Sequence, residues 1–437
     1  MRNWKKARLG ELIDIKHGFA FRGEFFSSNG PGDILMTPGN FAIGGGFQWG
    51  KRKYYSGPVP TEYVLRSGDL VVTMTDLSKE ADTLGYSAVV PSCDERLLHN
   101  QRIGKVVRRS DDVDLRFLYW VMRSKAYRDE VLASATGSTV KHTSPTKILA
   151  FQFLLPPLHE QRAIGSVLCA LENKIHCNRR MNETLEAMAR SIFKDWFIDF
   201  GPTRAKTEGR APYLAPEIWA LFPDFLDDEE RPQGWTSSTI GEEVDVIGGS
   251  TPSTKEPEYW NGDIAWATPK DLSSLRSPVL LATERQITDL GLSQIGSGLL
   301  PIGTVLLSSR APIGYMAIAQ VPTAINQGFI AMICRKRLSN VFVWLWTRAN
   351  MDRVLQNANG STFQEISKTN FRPIAVTVAG HDILRAFDET VNPLFERVVT
   401  NEKEINSLAT IRDLLLPKLM SGAIRVKDGQ KIAEAAL

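Results

Sequence analysis

Few of the features that announce chemistry in a protein chain occur in these 437 residues. The four cysteines, Cys93, Cys169, Cys177 and Cys334, are scattered and form no Cys-x-x-Cys pair, which argues against a zinc site or a disulfide framework. Cys177 follows His176, but neighbours on a helical pattern diverge by about 100° and cannot chelate one ion together. No run of about 18 apolar residues is available to span a bilayer, and Met1-Arg2-Asn3-Trp4-Lys5-Lys6 leads into Gly10-Glu11 without an apolar signal core. A cytoplasmic protein with no membrane partner is expected. Charge is nearly balanced: the net value of +3 does not by itself argue for nucleic acid. Basic residues do cluster at Lys51-Arg52-Lys53, Arg108-Arg109 and Arg335-Lys336-Arg337.

Catalytic motifs are missing as well. There is no Gly-x-x-x-x-Gly-Lys-Ser/Thr loop to cradle nucleotide phosphates, and Gly44-Gly45-Gly46 lacks the spacing of a dinucleotide site. Pro156-Pro157 is followed by Leu158, so the Asn/Asp-Pro-Pro-aromatic tetrapeptide that positions an extruded adenine amino group is absent. The six histidines form no His-x-x-x-His or His-Glu-x-x-His pattern, and the adjacent acids Asp111-Asp112 and Glu242-Glu243 diverge and read as surface charge. The residues point to a chain with no catalytic residue and no metal or cofactor of its own.

What is present is a duplication. The length implies two or three domains, and 43% hydrophobic with 23% charged residues is the composition of a globular protein. Trp4, Leu9, Gly10, Gly18 and Thr37-Pro38 recur as Trp235, Ile240, Gly241, Gly249 and Thr268-Pro269 at an offset of 231. Further on, Gly68-Asp69-Leu70-Val71-Val72-Thr73 resembles Gly303-Thr304-Val305-Leu306-Leu307-Ser308, and Asn100-Gln101 resembles Asn326-Gln327. Gly137-Ser138-Thr139 matches Gly360-Ser361-Thr362, where the offset settles at 223. The repeated unit is long, roughly 200 residues, and not a short-period solenoid.

Each unit begins with short β-branched runs bounded by Gly, Pro, Asn and Ser, the mark of strands and turns. An amphipathic stretch follows, Leu115 to Val131 and Val341 to Leu355, predicting a helix on each sheet. Then comes a heptad seam: Ile164, Leu168, Leu171, Ile175, Asn178, Asn182, Leu185, Ala189, Ile192, Trp196. Its counterpart is Phe387, Val391, Leu394, Val398, Asn401, Ile405, Leu408, Arg412, Leu415, Leu419. Two long helices pairing in a coil are predicted. Asn178 and Asn401 hold the same seam position, and an antiparallel pairing in which they meet would fix the register; the alternative is two partly exposed asparagines. Pro393 predicts a kink or restart in the second helix, and Pro417 and Gly422 mark its end. The segment between the units, Gly201 to Gly234, carries five prolines and the acidic run Asp227-Asp228-Glu229-Glu230. It reads as exposed and weakly structured, although Trp219 and Phe222 imply some packing.

At the helices the sequence resembles a known family. Pro156-Pro157-Leu158-His159-Glu160-Gln161-Arg162-Ala163-Ile164, Leu185-Glu186-Ala187-Met188-Ala189-Arg190 and Phe193-Lys194-Asp195-Trp196-Phe197 with Asp199-Phe200 are similar to the entrance and exit of the central region of type I restriction–modification specificity (S) subunits. Leu414-Leu415-Leu416-Pro417-Lys418-Leu419-Met420-Ser421-Gly422-Ala423-Ile424-Arg425-Val426 resembles the family's C-terminal signature, and Asn326-Gln327-Gly328-Phe329 and Pro232-Gln233-Gly234-Trp235 also fit. Gly380-His381-Asp382-Ile383 departs from the Pro-Leu-His-Glu-Gln entrance of the first copy.

The resemblance implies an α+β fold with two tandem pseudo-symmetric target-recognition domains joined by two long antiparallel coiled-coil helices. Its parts would be residues 1–157 and 233–379 for the two domains, 158–200 and 380–422 for the helices, 201–232 for the linker and 423–437 for a tail. It implies double-stranded DNA, two methyltransferase (M) subunits and restriction (R) subunits as partners. S-adenosylmethionine, ATP and Mg would belong to those partners. Each domain would read half of a bipartite site, and the helices would set the gap.

Base readout needs polar side chains on loops facing a groove, whereas phosphate contacts only position the protein. The matched loops supply the candidates: Ser138, Thr139, Lys141 and His142 in one unit, Ser361, Thr362, Gln364 and Glu365 in the other. Gln101, Arg102, Ser309, Arg310 and Gln327 come next, and Lys51, Arg52 and Lys53 suit phosphate. Two competing readings are a fused or truncated methyltransferase, which should carry a methyltransferase motif, and a coil-only interaction protein, which should not retain DNA.

Overall fold

The computed structural model describes residues 4–78, 80–360 and 364–434. The chain divides into two units, residues 1–175 with 406–437 and residues 176–405. Both mix helix and sheet, and two 40-residue helices, Leu158–Phe197 and His381–Met420, pass from one unit to the other.

In the first unit, Ile13–His17, Ile103–Arg108, Leu70–Thr73 and Ser87–Val89 form an antiparallel four-stranded sheet in that order. Leu70-Val71-Val72-Thr73 is buried on both faces, which is why it reads as an unbroken β-branched run. A second sheet pairs Asp33–Met36 with Leu97–His99 in parallel. In the other unit, Asp245–Gly248, Phe329–Ile333, Val305–Ser308 and Met316–Ala319 repeat the first order, with Val279–Leu280 added at the edge. There Trp260–Ala267 and Thr323–Ile325 repeat the parallel pair. The duplicated Gly18 and Gly249 have one cause: a Cβ at either position would overlap a main-chain carbonyl oxygen, that of Asn100 or of Ile325.

The amphipathic stretches each fold as two helices. Leu115–Val121 starts under an Asp114 cap, and Lys125–Ala133 starts under a Ser124 cap. Asn340–Ala349 and Met351–Gln356 repeat the break. In the first copy Ser124 accepts from the Tyr127 N–H and starts the new helix; in the second no side chain caps the break, and the Asn350 amide donates back to the Trp346 carbonyl at 2.9 Å.

The start of the first long helix explains the Gln of its entrance motif. Gln161, 1% exposed, donates to the carbonyls of Pro156 and Asp112 and accepts from the Asp114 N–H. It thereby satisfies three main-chain groups at the cap of Leu115–Val121. In the second copy Leu384 takes that place and is buried. There the cap residue Ser339 donates to Asp388 of the long helix instead, at 2.6 Å. The departing entrance sequence thus replaces an amide clamp with an apolar contact and one hydroxyl–carboxylate bond.

Within 176–405 the helices run antiparallel. Phe193, Trp196 and Phe197, at the end of the first, pack their rings on Phe387 near the start of the second. Within the first unit, Glu172 lies against Arg412 at 3.8 Å, which accommodates the arginine in the seam. Glu172 is also held by Arg123 and by the Tyr119 hydroxyl, at 2.6 and 2.5 Å. Arg123 in turn donates to the carbonyl of Gly44 at 2.8 Å.

Three expectations are corrected. Asn178 and Asn401 do not meet: Asn401 pairs with Asn182, one turn away, and Asn178 donates to Glu404 at 2.7 Å. The stagger of the antiparallel helices, not equivalence in sequence, chooses the partner. Pro393 does not restart the second helix, which runs unbroken from His381 to Met420. Pro393 and Glu389 are both exposed, so the carbonyl that loses its N–H partner sits where water can replace it. The segment between the two repeats, residues 201–234, is also more ordered than its composition predicts. Gly201–Thr207 and Pro216–Trp219 are helical, Phe222 is buried on Trp196, and Lys206 and Thr207 tie it to the carbonyls of Phe222 and Asp224. Beyond Gly422, Val426–Glu434 forms a further helix.

Candidate nucleic-acid interface

The duplicated loops meet in one small frame in each unit, built from three segments. The first is a tight turn in which an asparagine side chain accepts from the N–H two residues on: Arg102 to Asn100 at 3.2 Å, and Gly328 to Asn326 at 2.9 Å. That bond is the physical reason for asparagine at both places. The following glutamines, Gln101 and Gln327, are exposed.

The second segment leaves the end of the central strand. Met74 N–H donates to the carbonyl of Arg102, and Ser309 N–H to that of Gly328. The third is a closed loop. Thr136 and His142 exchange both main-chain hydrogen bonds, at 3.0 and 2.8 Å, and Asn359 and Glu365 do the same at 2.8 and 2.9 Å. Gly137 and Gly360 open the two loops at φ of 99° and 95°, values that only glycine adopts without strain. Each loop returns to the strand end, Thr143 N–H to the carbonyl of Met74 and Ile366 N–H to that of Ser309.

The frame is common to both units, but its side chains differ. In the first unit His142 lies across from Thr75, with Nδ1 and the hydroxyl 3.2 Å apart. In the other, Glu365 lies across from Arg310 and the two charges are 3.8 Å apart. Thr75 and Asp76 were not among the sequence candidates. Extending the match of Gly68–Thr73 with Gly303–Ser308 by three residues would have reached them. Asp76 is buried and accepts from the N–H and hydroxyl of both Ser78 and Thr83 at 2.5–2.7 Å. Burial disfavours its charge, but those four bonds outweigh it and hold the carboxyl below its usual range, fixing the turn after the strand.

Most of the sequence candidates gather on these frames. Ser138, Thr139 and His142 are exposed, Lys141 is half-buried, and Gln101 and Arg102 lie on the adjoining turn. In the second unit Gln364 and Glu365 are exposed, Arg310 is half-buried, and Gln327 is held by the hydroxyl of Thr251 at 2.6 Å. Thr251 is a partner that sequence comparison missed. Ser309 is a correction: it is 3% exposed and serves the frame through its main chain, so its side chain is not presented to a ligand. Ser361 and Thr362 lie outside the described residues.

Lys51, Arg52 and Lys53 are exposed beside the second sheet of the first unit. Arg52 pairs with Glu95 at 3.2 Å and covers Trp49, and Lys53 lies over the ring of Phe26. No group of three His, Cys, Asp or Glu capable of holding a metal occurs among the described residues, and none of their helices is long and apolar enough to cross a membrane.

Comparison with known proteins accords with this duplicated plan. The sequence matches the type I restriction modification DNA specificity domain over residues 1–187 and again over 232–379. It is 36% identical over 351 residues to the MjaIX specificity subunit of Methanocaldococcus jannaschii, covering 79% of this chain and 76% of that protein. To the HindI specificity subunit of Haemophilus influenzae it is 22% identical over 353 residues, covering 70% and 76%. The crystal structure of the S subunit of a type I restriction-modification system from M. genitalium shares the fold, with a TM-score of 0.59 at 17% identity over 96% of both chains. The chain therefore belongs to the family of specificity subunits of type I restriction–modification systems.

Proposed function

We propose that each unit of this specificity subunit binds one half of a bipartite, asymmetric DNA site through its closed loop and the adjoining turn. One observation carries the reading: two frames with the same main-chain hydrogen bonds present different side chains, as two readers of different half-sites require. The long helices set the spacer. A 40-residue helix extends about 60 Å, longer than the roughly 34–36 Å between successive turns of one face of B-DNA.

On this reading the chain has no catalytic residue. The helices dock two methyltransferase subunits, and restriction subunits join in the full complex. S-adenosylmethionine, ATP and Mg serve those partners, and methylation falls on adenine N6. Lys51, Arg52 and Lys53 supply salt-dependent phosphate contacts.

Co-expression with the methyltransferase subunit in a methylation-free host, followed by genome-wide mapping of N6-methyladenine, tests this. The expected result is one split motif with a methylated adenine in each half on opposite strands. A soluble, intact complex that neither methylates nor retains DNA would refute it.

A further inference from the structure

Arg310 and Glu365 occupy in the second unit the place of Thr75 and His142 in the first, on a frame that main-chain hydrogen bonds already close. Their ion pair does little to hold that frame. The charges are 3.8 Å apart and the side chains 39% and 50% exposed, the regime in which an ion pair contributes almost nothing to stability. It is also easily opened by a ligand that offers both charges a better partner. Gln364 and Gln327 are neutral, and the side-chain oxygen of Gln327 accepts from the Thr251 hydroxyl.

A guanidinium fork and a carboxylate side by side match one base pair in particular. In the major groove guanine presents two acceptors, O6 and N7, which arginine meets with two parallel N–H donors. The cytosine opposite presents its N4 amino donor, which a carboxylate accepts. The other pairs fit less well, because adenine places a donor and thymine a methyl group where those contacts fall. The geometry points to Arg310 and Glu365 as a joint reader of a single G·C pair in the half-site bound by the second unit, with Arg310 on guanine and Glu365 on cytosine. This rests on the function proposed above and goes beyond it by naming the base pair and the residues.

The test is the methylation map of the complex carrying Arg310→Ala, Arg310→Lys, Glu365→Ala or, as a control, His142→Ala. The wild-type map comes first, and a complex that methylates nothing would remove the underlying reading before the variants are compared. Given a wild-type motif, the three variants at Arg310 and Glu365 should relax the requirement at one and the same G·C pair, on the order of tenfold to a hundredfold. His142→Ala should leave that pair untouched. Arg310→Lys is the decisive variant, since it keeps the charge and loses the fork. If it preserves the motif while Arg310→Ala weakens methylation uniformly and reduces its salt dependence, Arg310 touches phosphate and the inference fails. It fails equally if neither half-site contains an obligatory G·C pair, or if the Arg310 and Glu365 variants relax different positions.

Discussion

Asn401 donates its side-chain amide to the Oδ1 of Asn182 at 2.8 Å, deep in the seam between two antiparallel helices. Asn182 in turn donates to Glu402 at 2.7 Å, so the buried pair is linked to the helix rim. Its pseudo-equivalent is not symmetric: Asn178, the counterpart of Asn401 in the repeat, reaches Glu404 instead. The polar layer belongs to one register only.

Replacing Asn182 alone with leucine should strand the Asn401 amide in an apolar seam and lower stability by about 1–3 kcal/mol. The double substitution Asn182→Leu with Asn401→Leu should recover most of that loss. It should also loosen the register, because the apolar contact that replaces the bond has no direction. Urea unfolding measures the first effect, and disulfide trapping between paired cysteines along the two helices measures the second. A double variant as unstable as the single one would contradict the assignment.

Glu172 gathers Arg123, Tyr119 and Arg412 in the first unit. Burial and the neighbouring carboxylate push the Tyr119 hydroxyl well above its usual range, so it remains a donor at any practical pH. Glu172→Gln leaves Arg123 buried without its nearest counter-charge and should destabilise the chain by about 3–5 kcal/mol. A chemical-denaturation midpoint within error of wild type would mean that the network contributes nothing.

Burial raises the Glu186 carboxyl to about 7; Arg348 and Arg190 oppose the rise, and Glu402 and Glu183 add to it. The folded chain therefore holds this proton when the unfolded chain, near 4.5, has lost it. Stability should fall as pH rises from about 4.5 to 7 and level off above. Partial solvation limits the effect to about 1–2 kcal/mol. Glu186→Gln should flatten this part of the curve and raise the melting temperature at pH 8. An unchanged slope in the variant would place the titration elsewhere.

Gly137→Ala and Gly360→Ala each force a Cβ into a left-handed turn, a strain of about 1–3 kcal/mol. Both variants should lose thermal stability, because the φ of 99° at Gly137 and of 95° at Gly360 suits only glycine. On the function proposed above, loss of methylation should follow for both, since each unit would bind one half of the site. Competition binding with half-site duplexes should separate them: Gly137→Ala should weaken one half and Gly360→Ala the other. Weakening of the same half by both would break the one-unit, one-half assignment.

The duplication, the mixed helix and sheet, and the pair of long helices were legible in the sequence because they rest on periodicity and on glycines whose position is sterically forced. Gly18 with Gly249 and Gly137 with Gly360 recur because their backbones do. Partner choice was not legible in the same way. Asn178 and Asn401 match in sequence, yet the stagger of two antiparallel helices is a three-dimensional quantity that decides which residues face each other. Thr75 and Thr251 escaped notice for a related reason: neither lies in a conspicuous motif, and only pairing across strands brings them to His142 and Gln327. Ser309 was misjudged because a polar side chain in a repeated turn looks available until its burial is known. The segment between the two repeats was read from its prolines, whereas its order comes from tertiary contacts, Phe222 on Trp196 and Lys206 and Thr207 on main-chain carbonyls.

The closed loop and its adjoining turn are held by main-chain bonds, one glycine and one asparagine, and this has a consequence for how such a chain can change over time. Substitutions at His142, Gln101, Arg310, Glu365 or Gln327 remove no bond on which the frame depends. On the function proposed above, mutational drift can alter DNA preference while folding proceeds as before, and the positions that choose the target and those that hold the fold form nearly disjoint sets.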